Sequence, residues 1–352
     1  MASVVTAPPA AWFARPEARE WRCPPAPAAV AEFHAALPGY APTPLVEIPA
    51  LAAGLGVARV FVKDESSRLG LPAFKVLGAS WGVHRALRGH TRLVAATDGN
   101  HGRAVAAIAR LRGLAARIYV PDGVHPAARA AIAAEGAEVV GVHGTYDEAV
   151  RRAAADESPE TLLVQDTSWP GYEQVPRWIV QGYATLFTEI DAQLAAAGAA
   201  PAGLVAVPVG VGSLAQAAVT HYRSGPHAPT VLSVEPAAAA CVLAALHAGV
   251  PGTVPPGETI MSGLNCATPS ALAWPVLRAG LDAAVAIGDD AAVRAARDLA
   301  AHGVPAGPCG AASLAGARAA LTPGRRAALA PHHAGTVVLL STEGAAANPL
   351  PA

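Results

Sequence analysis

Short apolar runs alternate with alanine-rich helical stretches along most of this chain, and that alternation is what most restricts its fold. A parallel strand buried on both faces reads as a brief, continuous apolar run, and its return crossover is usually a helix. Residues 58–63, 93–97, 116–120, 138–142 and 162–165 read as such strands. Helices are expected from 101 to about 112, from about 127 to 135 and over 147–155. Further on, the pattern predicts one long helix over 178–197, then strands at 204–207, 231–235 and 336–340 separated by alanine-rich helices. The expected fold class is therefore α/β, with two domains, each an open, twisted, mostly parallel sheet flanked by helices. The smaller domain is expected at 76–167, and the larger one is expected to join 1–75 to 168–352. Residues 1 to about 45, rich in Pro and Ala, are expected to wrap over a domain surface, and the Pro/Gly stretch 250–257 reads as a loop.

Composition removes several classes of function. A net charge of -1 over 352 residues gives no electrostatic case for nucleic acid or an anionic membrane. No 18-residue uninterrupted apolar span occurs, and the start Met1-Ala-Ser-Val-Val-Thr-Ala-Pro lacks the basic residues of a secretory signal. Cys23, Cys241, Cys266 and Cys309 are scattered without a C-x-x-C pair, which suits free thiols in a reducing cytoplasm and no metal site.

Only two of the 25 basic residues are lysines, Lys63 and Lys75. Arginine stays protonated, whereas a desolvated lysine can lose its proton and attack a carbonyl as a free amine. Lys75, in Ala73-Phe74-Lys75-Val76-Leu77-Gly78-Ala79-Ser80 at the expected start of a helix, reads as a Schiff-base lysine or as a snorkelling surface lysine. The turn Gly210-Val211-Gly212-Ser213-Leu214 lies between an expected strand and an expected helix. It is either an anion cradle suited to phosphate or a tight turn only. Thr97-Asp98-Gly99-Asn100-His101-Gly102 is a second strand-to-helix turn, whose free N–H groups could hold a carboxylate. Asp98 beside such a loop should have a raised pKa, unless it simply caps the helix. The cluster from Gln165 to Tyr172 adds a second acid/base candidate, Asp166, with Trp169 and Tyr172 as pocket walls. Ser341 and Thr342 end a hydrophobic strand in two hydroxyls.

In order along the chain, these segments resemble the pyridoxal-phosphate enzymes of the tryptophan-synthase-β type (fold type II), and within them the diaminopropionate ammonia-lyase family. The residues carrying that resemblance include Phe74-Lys75-Val76-Leu77-Gly78-Ala79-Ser80, the loop from Thr97 to Arg103, Gln165-Asp166-Thr167, Gly171-Tyr172, Gln181-Gly182-Tyr183 and Gly210-Val211-Gly212-Ser213-Leu214. Val234-Glu235-Pro236, the segment from Thr259 to Leu264 and Thr342-Glu343-Gly344 complete it. Serine and threonine dehydratases usually have a Ser where Asp98 stands.

The resemblance implies pyridoxal 5'-phosphate bound covalently at Lys75, in the larger domain. The turn from Gly210 to Leu214 would hold its phosphate, Asn100 its ring 3'-oxygen, and Ser341, in preference to Thr342, its pyridine nitrogen. Ser80, Thr97, Gly99, His101 and Tyr172 would bind a small amino-acid substrate, and Asp98 and Asp166 would act as acid/base groups on its two enantiomers. The implied reaction is elimination of ammonia from D- or L-2,3-diaminopropionate to give pyruvate and ammonia, in a cytoplasmic homodimer. A serine or threonine dehydratase or a β-replacement enzyme is the alternative. A non-catalytic relative would not need Lys75 with both acids, and a nicotinamide oxidoreductase would leave Lys75 and the loop at 97–102 unexplained. Two departures from the family pattern stand out: Pro308-Cys309-Gly310-Ala311 where relatives tend to read Glu-Ser-Gly-Ala, and a tail after Gly344 without Asp.

Overall fold

The structure, a computed structural model, describes residues 11–255, 257–329 and 335–350. The first ten residues of the expected N-terminal wrap, and Pro256 of the expected loop, lie outside them. Eleven strands form two sheets among the described residues. They are β1 (Trp12–Ala14), β2 (Leu45–Glu47), β3 (Arg59–Asp64), β4 (Arg92–Ala96), β5 (Ala115–Pro121), β6 (Glu138–Val142), β7 (Thr161–Leu163), β8 (Ala202–Pro208), β9 (Thr230–Pro236), β10 (Ala283–Ile287) and β11 (Thr336–Ser341). The larger sheet runs β1-β10-β9-β8-β11-β3-β2, parallel except for its two antiparallel edge strands. The smaller runs β6-β5-β4-β7 and is wholly parallel. Its inner strands are short aliphatic runs because helices cover both faces: Leu93, Val94, Ala95 and Ala96 are all fully buried.

Three strands escape the sequence reading. β1 and β2 have three residues each, and β10 reads Ala-Ala-Val-Ala-Ile, whose alanines carry a helical preference that burial between sheet neighbours overrides. The single helix expected over 178–197 is instead two, Gln174–Gly182 and Ala184–Ala196, with Tyr183 between them. Gly182 explains the correction. It lies where the helix Lys75–Ala86 crosses closely, so that a Cβ there would come within 2.5 Å of the Leu77 carbonyl oxygen and 2.8 Å of the Gly78 Cα. Glycine permits that approach and weakens the helix at the same point.

The two lysines have opposite surroundings. Lys63, on β3, is fully buried, and its three ammonium protons go to the Thr43 carbonyl (2.8 Å), Glu189 Oε2 (2.6 Å) and Gln193 Oε1 (2.8 Å). Arg68, also fully buried, clamps Glu65 and Glu189 with bonds of 2.6–2.8 Å. The two cations therefore balance two carboxylates, and the cluster ties the strand β3 to the helix Ala184–Ala196. Because removing one partner strands a buried charge, Lys63→Met should cost about 3–5 kcal/mol of stability. Urea unfolding of the cofactor-free protein measures it, and a loss below about 1 kcal/mol would show the cluster to be dispensable.

Candidate active site

Parallel strands deliver their C-terminal ends, and the loops after them, to one edge of a sheet. The cleft forms where those edges of the two sheets face each other. From the smaller sheet come the loop after β4 (Thr97, Asp98, Gly99, Asn100, His101) and the segment after β7 (Asp166, Thr167). From the larger come the turn after β8 (Gly210, Val211, Gly212, Ser213, Leu214) and the segment after β11 (Thr342, Glu343). Lys75 enters as the first residue of the helix Lys75–Ala86. A larger cavity of about 590 Å³ lies elsewhere, beside the His221–Asp191 pair, but holds neither the cleft lysine nor its carboxylates.

Lys75 Nζ donates to Asp166 Oδ2 at 2.6 Å. Burial works against charge on either group, but Asp166 raises Lys75 above its ordinary value, and His101 with Lys75 holds Asp166 down at about 2. His101 Nδ1 lies 3.7 Å from the same carboxylate oxygen. Its Nε2 faces the Val164 carbonyl at 2.7 Å and must donate to it, and burial pushes the ring's pKa below the ordinary 6.5. His101 and Lys75 both favour the Asp166 ion, and of the two only Lys75 is within hydrogen-bond distance. Asp98 behaves oppositely. Burial, reinforced by the Asp166 charge, pushes it up to about 7, so one carboxyl in the cleft is ionised and the other is poised between its two forms at neutral pH.

The turn after β8 ends at the N-terminus of the helix Ser213–Ser224, whose first N–H groups lack intrahelical acceptors. Gly210 keeps this cradle open: a Cβ there would approach Cys266 Sγ to 2.9 Å and the Gly263 carbonyl oxygen to 3.2 Å. Ser341 Oγ, at the end of β11, is buried without a hydrogen-bond partner among the described residues. An amine and an anion cradle in one cleft, with an orphaned hydroxyl on the residue before its lining Thr342, fit the aldehyde, phosphate and pyridine nitrogen of pyridoxal phosphate.

Most of the residues expected in the site line the cleft; Ser341 does not, although its neighbour Thr342 does, and two others are engaged elsewhere. Ser80 is buried within its helix bundle, where its Oγ donates to the Leu77 carbonyl at 3.1 Å and lies 3.1 Å from His34 Nε2. The Tyr172 hydroxyl accepts from the Gln165 N–H and donates to the Leu163 carbonyl, both at 2.9 Å, and its ring stacks on Trp169. Both side chains thus serve the scaffold. Residues the sequence reading left out of the site also line the cleft: Phe74, Tyr146, Cys266, Cys309, Glu343 and Asn348. Tyr146 starts the helix Tyr146–Ala155 and receives the Gln165 Nε2 proton at 2.8 Å. Glu343 and Cys309 stood within segments already singled out by pattern, whereas Tyr146 had no local signal.

Fold and cleft together define a pyridoxal-phosphate enzyme of the two-sheet type. The family model "Pyridoxal-phosphate dependent enzyme" matches residues 36–342. The diaminopropionate ammonia-lyase of Salmonella typhimurium is 36% identical over 280 residues, 71% of this chain and 69% of that one. A biosynthetic L-threonine dehydratase of Corynebacterium glutamicum is 32% identical over 231 residues, 63% of this chain and 50% of that one. The Escherichia coli diaminopropionate ammonia-lyase, crystallised with an aminoacrylate-PLP azomethine reaction intermediate, superposes with a TM-score of 0.83 at 33% identity, covering 93% of this chain and 91% of that one. The chain belongs to the pyridoxal-phosphate dependent enzymes, in the family of the diaminopropionate ammonia-lyases.

Proposed function

We propose that this protein removes ammonia from 2,3-diaminopropionate, giving pyruvate and ammonia, with pyridoxal phosphate held by Lys75. The observation that carries the reading is the bond from Lys75 to Asp166 in a cleft that Asp98 also lines, with Asp166 held ionised and Asp98 poised at about 7. Pyridoxal phosphate supplies, when bound, a sink for the electron pair left at the substrate Cα as its proton departs.

This chain's own residues do the rest. Lys75 Nζ is the point of covalent attachment. The N–H groups from Gly210 to Leu214 would hold the phosphate, the orphaned Ser341 Oγ would serve the pyridine nitrogen, and Asn100 would serve the ring 3'-oxygen. A neutral hydroxyl cannot keep that nitrogen protonated as a carboxylate would, which favours prompt loss of a β leaving group over long-lived charge at Cα. The N–H groups of the loop at 97–101 take the substrate carboxylate. Asp98 and Asp166 accept the Cα proton from opposite enantiomers, and the β-nitrogen leaves as ammonia after gaining a proton. The enamine that remains is hydrolysed by water to pyruvate and a second ammonia.

We also assign residues 1–75 and 168–352 to a cofactor-binding domain and 76–167 to a substrate-side domain, in a cytoplasmic homodimer. The division is supported by the two sheets, which draw on 12–64 with 202–341 and on 92–163 respectively. Among the described residues, no helix is long and apolar enough to cross a membrane.

The test is the visible spectrum of the purified enzyme before and after addition of D- or L-2,3-diaminopropionate, with pyruvate assayed in parallel. A band that shifts while pyruvate accumulates is expected. A spectrum that ignores the diamino acid but responds to serine or threonine would move the chain to the dehydratases.

A further inference from the structure

Asp98, Asp166 and Lys75 leave one acid of the cleft without a task. Glu343 follows β11 and is 3% exposed, and burial raises its pKa. Its Oε2 accepts from Asn100 Nδ2 at 2.5 Å, and its Oε1 lies 3.3 Å from the N–H of Cys309, in the first turn of the helix Pro308–Ala320. Its backbone is pinned as well, with the Gly307 N–H bonded to its carbonyl at 3.0 Å. The carboxyl therefore has a fixed place from which it reaches across the cleft to the opposite sheet's loop.

A primary amide has a donor end and an acceptor end of nearly the same shape, and only its partners decide which way it points. Asn100 has one other-residue partner for its side chain among the described residues, Glu343. Glu343 Oε2 is the acceptor of that bond and Asn100 Nδ2 its donor, so the amide turns its NH2 to Glu343. The reversed amide would set two acceptors against each other at hydrogen-bond distance. The same NH2 carries a second proton, so the choice made at Glu343 also decides what Asn100 offers to the cleft.

We propose that Glu343 is a positioning residue, which through its bond to Asn100 Nδ2 makes Asn100 present a donor to the anionic 3'-oxygen of bound pyridoxal phosphate. The inference rests on the assignment of Asn100 to that oxygen. A carboxyl that merely capped the helix Pro308–Ala320 would contribute stability without affecting the electronic state of the cofactor. The two roles therefore separate experimentally.

The test compares Glu343→Gln, Asn100→Ala, Asn100→Asp and the swapped pair Asn100→Asp/Glu343→Gln. Three quantities are read: thermal stability of the apoprotein, its affinity for pyridoxal phosphate, and the pH midpoint of the visible band of the reconstituted enzyme. In Glu343→Gln the Cys309 N–H claims the new amide's oxygen, so its NH2 meets Asn100 and turns that amide over. Loss of a donor to a charged oxygen should then weaken cofactor binding about tenfold and move the midpoint by about one pH unit in Glu343→Gln and in Asn100→Ala. Asn100→Asp sets two carboxylates face to face and should lower the melting temperature. The swapped pair rebuilds amide-to-carboxylate bonding, so it should recover stability, yet it presents an acceptor to the cofactor and should keep the altered midpoint. Recovery of both stability and midpoint in the swapped pair would overturn the proposal, as would a Glu343→Gln enzyme with the wild-type midpoint and affinity. The swapped pair serves on its own if Glu343→Gln fails to fold. An Asn100→Ala enzyme with unchanged midpoint and affinity would instead reject the Asn100 assignment beneath it.

Discussion

Lys75→Ala is expected to end covalent attachment of the cofactor and to lower kcat by several orders of magnitude, because the amine that forms the covalent link is lost. The chain has one other lysine, and Lys63 cannot substitute. It is fully buried in the larger sheet, with all three ammonium protons engaged. Borohydride reduction of the reconstituted enzyme followed by peptide mapping checks this directly. The wild type should carry the reduced cofactor on the peptide containing Lys75, and the variant should carry none. A reduced adduct surviving in Lys75→Ala would remove Lys75 from the mechanism, whatever happened to turnover. Lys63→Met is the complementary control: it should lose stability but keep its adduct.

That contrast between the lysines also shows where sequence reading succeeds and where it stops. The rarity of lysine narrowed the search to two positions, but nothing local distinguishes a lysine locked in a buried ion cluster from one facing a cleft. The partners that decide it, Glu189 and Gln193 for Lys63 and Asp166 for Lys75, lie 126, 130 and 91 residues away. The parallel strands were legible because burial on both faces writes them as aliphatic runs. β10 was not, because three of its five residues are alanine and only sheet neighbours make it a strand. Loop residues next to strand ends, such as Asp98, Asn100 and Gly210, could be placed because a parallel sheet sends its C-terminal ends to one edge. Ser80 and Tyr172 lay near such motifs without facing the cleft, since direction depends on packing that motif spacing does not encode. The break at Tyr183 has the same origin: it arises where two helices cross, and the crossing partner lies about a hundred residues upstream.

The paired carboxylates carry the second large effect. Replacing either Asp98 or Asp166 by Asn should lower kcat by about 10²–10⁴-fold for the enantiomer whose Cα proton it accepts, and much less for the other. For the enantiomer served by Asp98, the acceptor must be ionised, so kcat/KM should rise with pH through about 7. Asp98→Asn should erase that inflection. Asp166, held down at about 2, should give its enantiomer no acid limb of its own in the working range. Stability supplies an independent check with the opposite sign. Asp98 binds its proton more tightly in the folded state than at the ordinary 3.8, so ionising it destabilises the fold increasingly as pH rises from about 4 to 7. Asp98→Asn removes that penalty and should raise the melting temperature of the apoprotein more at pH 8 than at pH 5. Asp166→Asn should instead lower the melting temperature by a similar amount at both pH values, because the Asp166 ion is fully formed at each and the variant leaves a buried ammonium without its carboxylate. Equal losses on both enantiomers would reject the division of labour. A melting temperature for Asp98→Asn that moves equally at both pH values would show that Asp98 is not the carboxyl titrating near 7, and the pH profile would then need another owner.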